Sequence, residues 1–393
     1  MLSLPATPPA NEFVTADRLD IAQDHYPLDL YFCLDCSHLQ LLDVVDPDLL
    51  FRNYVYVSGT SSSFVRHFQH YAEDCIARFN PLLGALAVDI GSNDGSLLQF
   101  FKAAGMSVLG IEPALKISDA ANERGLETWP DFFGLDIAER IRAEKGPAAL
   151  VTANNVFAHV DDLAHFTEAV RRILAPDGVF VFEVSYAGAV HANVLFDTIY
   201  HEHLDYHTVG PLVAFFVAHG MELFSVKRVP THGGSLRGFA QLAGGPHRAD
   251  GSVAALIEDE RERHLDRVEG WIEFADRIDS IGRQLTGLLA ELKGQGKRIA
   301  GFGAPAKATT LMYKFGLDRT VIDYIVDDSP LKQNLFTPGR HIPVVPWART
   351  ADVWPDYLLI LAWNFSDEII ASHRDYRDKG GHFIVPLPGV RVI

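Results

Sequence analysis

The sequence predicts an α/β protein built on a doubly wound parallel sheet, and three observations carry that expectation. Apolar strands near 85–90, 107–111, 148–153 and 178–184 alternate with helical patterns near 95–104, 116–124, 135–143 and 162–174. Regular β-α alternation of this kind places ligands beyond the carboxyl ends of the strands. The first strand runs into Asp89-Ile90-Gly91-Ser92-Asn93-Asp94-Gly95, a glycine turn that opens a helix, and the same alternation restarts at Arg298. A length of 393 residues suits two or three domains.

The first turn is the strongest local signal. Unsatisfied N–H groups at a helix start form a ready cradle for a ligand. The spacing G-x-x-x-G after Asp89 is not the dinucleotide pattern G-x-G-x-x-G. About 20 residues on, Val108-Leu109-Gly110-Ile111 ends in Glu112, where a ribose-binding acid belongs. An ordinary βα turn with helix-capping polar residues is the plainer reading of the turn alone. Glu112 favours a ligand.

Composition narrows the class. Hydrophobic content of 48% and charged content of 22% describe a globular chain, and no apolar run approaches the ~20 residues of a membrane span. A basic-then-apolar leader is not seen at the N-terminus, so a cytoplasmic location is expected. Three cysteines do not make a disulfide framework. The net charge of −17 argues against a nucleic-acid partner, which draws on a basic surface.

In chain order, residues 1–80 read as a small N-terminal domain that starts irregularly at Leu4 to Ala10. It continues as a strand or hairpin around Cys33-Leu34-Asp35-Cys36-Ser37-His38. The C-x-x-C is half of a structural zinc site. His25 and His38 could complete it, but the metal-free reading is preferred, and Cys75 reads as a small core residue. Tyr54 and Tyr56 alternate as in a half-buried strand.

Residues 81–247 form the alternating domain, closed by a hairpin of Leu223 to Val229 and Leu236 to Leu242 across Thr231-His232-Gly233-Gly234-Ser235. If its first strand runs with the others, His232 falls on the ligand rim. Two polar stretches share that rim: Thr152 to His159 and Phe196 to His207. The second holds His201, Glu202, His203 and His207 in a loop, where a solvated surface, a zinc site and acid/base chemistry compete. H-E-x-x-H spacing is absent. Acid/base chemistry is favoured, because an ordinary histidine titrates near neutrality.

Residues 248–393 comprise a long helical region over 253–295 and a last domain. There Gly301-Phe302-Gly303-Ala304-Pro305-Ala306-Lys307 follows a strand and opens a helix, with Asp327 a crossover later. Taken alone this is a dinucleotide fingerprint, with Lys307 placed to neutralise a phosphate. Ala362-Trp363-Asn364-Phe365 puts an aromatic and an amide at the end of another strand, with a packing tryptophan as the alternative.

Together these words resemble the sugar C-methyltransferases that act on nucleotide-linked deoxy-keto-sugars. The resemblance spans nearly the whole chain. It rests on Asp89 to Gly95, Gly110 to Ala114, Asn154 to Val160, Phe196 to His203, His232 to Arg237, Gly301 to Lys307 and Ala362 to Phe365. It implies an S-adenosylmethionine-dependent enzyme with a small zinc-type N-terminal domain, a class I methyltransferase-like domain and a C-terminal Rossmann-like domain beside the sugar nucleotide. Family members carry a first C-x-x-C ahead of the segment resembling Leu2 to Phe13; either the start is truncated or this branch has lost the metal. Cys33 and Cys36 match the surviving pair, so full zinc occupancy is not expected.

The resemblance further implies His203 as base, with Tyr200 and His159 at the enolate oxygen, Glu202 orienting a neighbour and Tyr54 closing the site. Asp89, Gly91 and Ser92 would hold the methionine end of the donor, Glu112 its ribose, and Asn154 or Asn155 its adenine side, with Asp94 and Gly95 also in the cofactor site. Tyr56, His201, His232, Gly303, Lys307, Trp363 and Asn364 would face the sugar nucleotide. The expected protein is a monomer or small homo-oligomer that methylates the carbon α to a ketone. The rivals are an NAD(P)-dependent oxidoreductase or epimerase of nucleotide sugars, using the second glycine turn, and a non-catalytic sugar-nucleotide-binding module.

Overall fold

A computed structural model describes residues 2–52, 58–60 and 62–393. The N-terminal part carries strands β1 (Leu30–Phe32) and β2 (Leu39–Leu41) and helices α1 (Pro47–Phe51) and α2 (Ser62–Phe79). The middle runs β3 (Leu86–Ile90), α3 (Leu98–Ala103), β4 (Ser107–Ile111), α4 (Leu115–Glu123), β5 (Thr128–Trp129), α5 (Leu135–Glu144), β6 (Ala148–Asn154), α6 (Leu163–Ile173) and β7 (Leu174–Ser185). It continues through α7 (Ala187–Asn193), β8 (Asp205–Tyr206), α8 (Val209–Ala218), β9 (Met221–Val229) and β10 (Ser235–Leu242). Helices α9 (Ser252–Glu262) and α10 (Val268–Gly294) lead into β11 (Ile299–Phe302), α11 (Lys307–Lys314), β12 (Ile325–Val326), β13 (Val344–Val345), β14 (Tyr357–Ile360), α12 (Ser366–Ser372), α13 (Arg374–Asp378), β15 (His382–Val385) and β16 (Arg391–Val392).

The central sheet has the order β5-β4-β3-β6-β7-β10-β9. Strands β3 to β7 pair in parallel, whereas β10 is antiparallel to both β7 and β9. Strand β9 therefore runs with β7, and the turn at His232 lands on the same rim as the carboxyl ends of β3 and β6. A buried aromatic layer holds this sheet to its helices: Phe157 sits between the rings of Phe182 (5.2 Å), His207 (5.2 Å) and Phe216 (5.9 Å). The last sheet, β13-β12-β11-β14-β15-β16, is parallel except at β16. The doubly wound α/β architecture is thus present twice.

Elements cross the limits that the sequence suggests. Helix α2 buries Phe68, Tyr71 and Cys75 against the central sheet, in one apolar cluster with Val179, Val181 and Phe239. Strand β8, from the polar loop, adds to β2 and completes a three-stranded N-terminal sheet, β1-β2-β8. The helical region breaks at His264, which adopts a left-handed φ of 55°. Helix α10 then presents Trp271, Phe274, Ile278, Ile281, Leu285 and Leu289 along one buried face, spaced by three or four residues as a helix stripe requires.

Gly238 on β10 faces Phe182 on β7, and a methyl group added there would overlap the Phe182 ring. Gly238→Ala is expected to lower stability by about 1–3 kcal/mol through overpacking. Urea denaturation would show this as an earlier midpoint at an unchanged slope.

Candidate active site

The carboxyl ends of β3, β6 and β7, the polar loop and the rim of the last sheet enclose one cleft of about 1950 Å³. Its floor is the first glycine turn. Gly91 needs a φ of +65°, and a side chain there would strike Val156. Asp89 is buried and accepts a hydrogen bond from Thr152 Oγ1 at 2.6 Å. Burial, with Glu112 nearby, pushes the Asp89 carboxyl up to about 7. Glu112 accepts the backbone N–H groups of Asn93 and Ala114, both at 2.9 Å. Asn154 Oδ1 is buried without a hydrogen-bond partner, and Ser92 Oγ, likewise unpartnered, packs over Gly110 of β4. Buried polar groups are ordinarily satisfied, so the Asn154 oxygen on the wall of a large cleft fits a polar ligand.

Two neighbours expected here lie elsewhere. Asp94 accepts from Ser96 Oγ at 2.6 Å and meets Arg124 Nη1 at 3.2 Å, capping the next turn of chain. Gly95, at φ +76°, has its free side against Leu126. The chain has already swung away from the cleft by this point, because helix α3 starts only at Leu98.

The polar loop supplies the second wall. His203 lines the cleft with its Nδ1 2.7 Å from the carbonyl oxygen of Thr198. A carbonyl only accepts, so Nδ1 carries the proton and Nε2 keeps its lone pair. The ring stacks on His159 at 4.9 Å and lies 4.1 Å from the Tyr200 ring. His159 in turn stacks on Phe51 at 5.7 Å. Burial pushes His203 down to about 4 and His159 well below its usual value. The expectation of a ring titrating near neutrality is corrected: desolvation holds both imidazoles neutral. Tyr200 and Glu202 also line the cleft, and Glu202 accepts from the Asn11 side chain at 2.8 Å.

His201 does not line the cleft. Its Nε2 points at the carbonyl oxygens of Tyr26 and Pro27, both at 3.2 Å, and its ring fastens the loop to the N-terminal part. His232, at φ +52°, and Asn155, at φ +54°, both line the cleft, with side chains 3.4 Å apart. Tyr54 and Tyr56 lie outside the described residues.

The third wall comes from the last sheet. Lys307 and Asn364 line the cleft; Gly303 and Trp363 do not. Gly303, at φ +83° just after β11, packs so closely on Ala362 that an added Cβ would fall 2.5 Å from Ala362 Cβ. Trp363 donates from Nε1 to Asp197 at 2.6 Å, and the Lys307 ammonium sits 4.2 Å over its ring. Asp327 accepts the N–H groups of Ala304 (2.6 Å) and Ser329 (2.8 Å), so the acid of the second fingerprint caps its own turn.

Cys33 and Cys36 stand at the β1–β2 turn as free thiols. His25 is engaged by Tyr313 and His38 by Asp205. The described residues contain no group of three or more possible ligands, so they do not make a complete zinc site.

His67 of α2 also lines the cleft and escaped the sequence reading, since a lone histidine on a helix gives no signal. Glu183 beneath it did give one: a carboxylate inside the apolar run Val179 to Val184.

Three family models match the chain. One described as "Methyltransferase domain" covers residues 64–224, one described as "C-methyltransferase C-terminal domain" covers 230–388, and one described as "Putative zinc binding domain" covers 1–51. C-methyltransferase NovU of Streptomyces niveus is 36% identical over 393 residues, spanning 100% of this chain and 94% of that protein. The ubiquinone biosynthesis O-methyltransferase of Paracidovorax citrulli is 31% identical over 105 residues, 26% of this chain and 44% of its own length. Among solved structures, an S-adenosylmethionine-dependent methyltransferase from Clostridium acetobutylicum aligns with a TM-score of 0.37 at 12% identity, over 46% of this chain and 92% of that one.

Burial has a consequence for stability. His203 is pushed down to about 4 and the fully buried His207 to about 3, whereas both titrate near 6.5 when unfolded. The unfolded chain binds more protons in that window, so stability is expected to fall as the pH drops from about 6.5 towards 4. Urea midpoints at pH 8, 6 and 5 would check the sign, and constant midpoints would contradict it.

Proposed function

The chain belongs to the C-methyltransferase family, and on that premise we propose that it methylates the carbon next to the ketone of a nucleotide-linked deoxy-keto-sugar, with S-adenosylmethionine as donor. The observation that carries this reading is His203: a neutral imidazole with its Nε2 lone pair unclaimed, on the wall of the cleft whose floor is the first glycine turn. Full-length similarity to a protein named a C-methyltransferase supports carbon as the acceptor.

When bound, the donor supplies an electrophilic methyl group on a sulfonium cation. Asp89 supports that assignment, because a carboxyl pushed up by burial regains its charge when a cation arrives. Asn154 Oδ1 offers an unpartnered oxygen to the donor's polar ends, and Glu112 retains acceptor capacity for a ribose hydroxyl beyond its two backbone donors.

On this reading His203 Nε2 takes the α-proton, and the C–H electron pair moves onto the ketone oxygen as an enolate. Tyr200 and His159 border His203 and are assigned to that oxygen. As the enolate collapses, its α-carbon bonds the methyl group, the C–S bond breaks, and the thioether leaves with the electron pair. The proton on His203 then passes to solvent. Glu202, tied to Asn11, orients a sugar hydroxyl. Positioned proton transfer contributes roughly 10²–10⁴-fold, and donors aimed at the oxyanion are commonly the larger effect. Lys307 and Asn364 face the nucleotide end of the substrate.

His203→Ala is expected to lower turnover by about 10²–10⁴-fold while the donor's Kd stays within about twofold. Mass spectrometry of the product from candidate keto-sugar nucleotides reads the turnover, and the α-hydrogen should exchange in heavy water only when His203 is present. Calorimetry with S-adenosylmethionine and with NADH should give saturable heat for the first alone.

Donor affinity is expected to rise by about tenfold per pH unit up to about 7 and then level off, as Asp89 ionises. Asp89→Asn should flatten that slope.

A further inference from the structure

Strand β7 carries a charge where its pattern calls for an apolar side chain. Glu183 is 2% exposed, and its cross-strand neighbour on β10, Arg237, is 3% exposed. Arg237 donates to the Glu183 carboxylate through Nε at 3.1 Å and Nη2 at 2.9 Å, with its guanidinium stacked 3.9 Å over Tyr71. Two residues outside the ion pair join it. Thr231 Oγ1 donates to Glu183 at 2.7 Å, and His67 Nε2 lies 2.9 Å from the same carboxylate. A buried ion pair is weak evidence for stability, since apolar residues of similar volume often serve as well. What this one touches points to another use, because His67, Thr231 and His232 all line the cleft.

The chemistry of the pair constrains both neighbours. An ionised carboxylate only accepts, so in the neutral ring the His67 nitrogen facing it carries the proton and Nδ1 is left as the acceptor. Arg237 Nη2, another donor, stands 3.5 Å from that nitrogen, and the shorter contact to Glu183 decides the tautomer. On the other side, Thr231 fixes the turn in which His232 holds a left-handed backbone. Such a conformation persists only where the surroundings over-determine it. The Glu183 backbone carbonyl also accepts the N–H of Asn155, the partner of His232.

We propose that Glu183, neutralised by Arg237, is a positioning residue of the methyl-transfer site: it fixes the tautomer of His67 and the strained turn of His232 together, so that both imidazoles meet the acceptor sugar in set orientations. His67 thereby joins the residues that contact substrate, presenting Nδ1 as a hydrogen-bond acceptor for a sugar hydroxyl. The proposal rests on the keto-sugar reading for the identity of that substrate only.

The test uses the full chain. In ¹⁵N-histidine NMR without substrate, the His67 ring, assigned through His67→Asn, is expected as the Nε2–H tautomer. Glu183→Gln, whose amide can donate as well as accept, should leave a mixture. With the keto-sugar nucleotide, Glu183→Gln should lower kcat on the order of 10²-fold while the donor's Kd and the sugar's KM stay within about threefold, and Glu183→Asp should recover part of the loss. Thr231→Val, which removes one hydroxyl, should lower kcat by about tenfold at an unchanged Tm, and it carries the kinetic arm if Glu183→Gln does not fold. The proposal is overturned by a wild-type His67 in the Nδ1–H tautomer, by wild-type kcat in both variants, or by activity that falls only in step with Tm and donor affinity. A wild-type protein that does not turn over the keto-sugar nucleotide refutes the substrate reading instead, and the tautomer measurement still decides the role of Glu183.

Discussion

The loop from Phe196 to His207 depends on being tied down at both ends and in its middle. Near its start, Asp197 is fully buried, accepting from Trp363 and facing Lys307 at 3.7 Å. Near its end, Asp205 and Tyr206 become a strand of the N-terminal sheet, with Asp205 bonded to His38 at 2.7 Å. At that same end the N–H groups of Leu204 and Asp205 share the carbonyl of Ala158, and in the middle His201 Nε2 meets the carbonyl oxygens of Tyr26 and Pro27. A dozen residues rich in polar side chains would otherwise sample many conformations, and fixing each backbone costs about 1–2 kcal/mol. Three parts of the molecule share that cost by each claiming one anchor. His203 sits inside the tied span, its Nδ1 held by a carbonyl of the same loop.

The cleft is also sorted by charge. Its floor offers two carboxyl groups, Asp89 and Glu112, both pushed up by burial. Its far wall offers Lys307 and Lys332, both pushed down by burial. The two carboxyl groups have no cation beside them and gain when one arrives, whereas Lys307 faces Asp197 at 3.7 Å and Lys332 lies near Asp327. A cation at the floor is the complement of this arrangement. The net charge of −17 therefore says little about the cleft.

The framework was legible because burial imposes periodicity. The strands read near 85–90, 107–111 and 148–153 coincide with β3, β4 and β6 to within a residue, since apolar runs between helix stripes have few alternatives. The pieces that escaped lack such a pattern. Strand β5 is two residues long, β8 exists only by pairing with a distant hairpin, and α8 is apolar on nearly every face. In the site, residue types were legible and directions were not. A loop has no fixed period, so spacing alone does not separate His201 from His203, and tertiary contacts turn one to the N-terminal carbonyls and the other to the cleft. Asp94, Gly95, Gly303 and Trp363 lie off the cleft lining, the two glycines because such turns need small residues for close packing as much as for ligands. Glu183 was readable in principle, as a charge in a buried strand.

For the proposed role of His203, burial that pushes it down to about 4 looks at first like a poor choice for a base. A ring held near neutrality by solvent would be partly protonated at pH 7, and that fraction could accept nothing. A desolvated ring is fully available, at the cost of weak proton affinity. Two nearby charges then act in opposite directions. A sulfonium in the same cleft disfavours the imidazolium, so the resting ring stays neutral once the donor is in place. The enolate has the opposite sign, and in a low-dielectric cleft its attraction for an imidazolium is far stronger than in water. Proton affinity at His203 thus rises only as negative charge develops on the ketone oxygen. In the proposed reaction this ties the base to enolate formation, because only then does negative charge develop beside the ring.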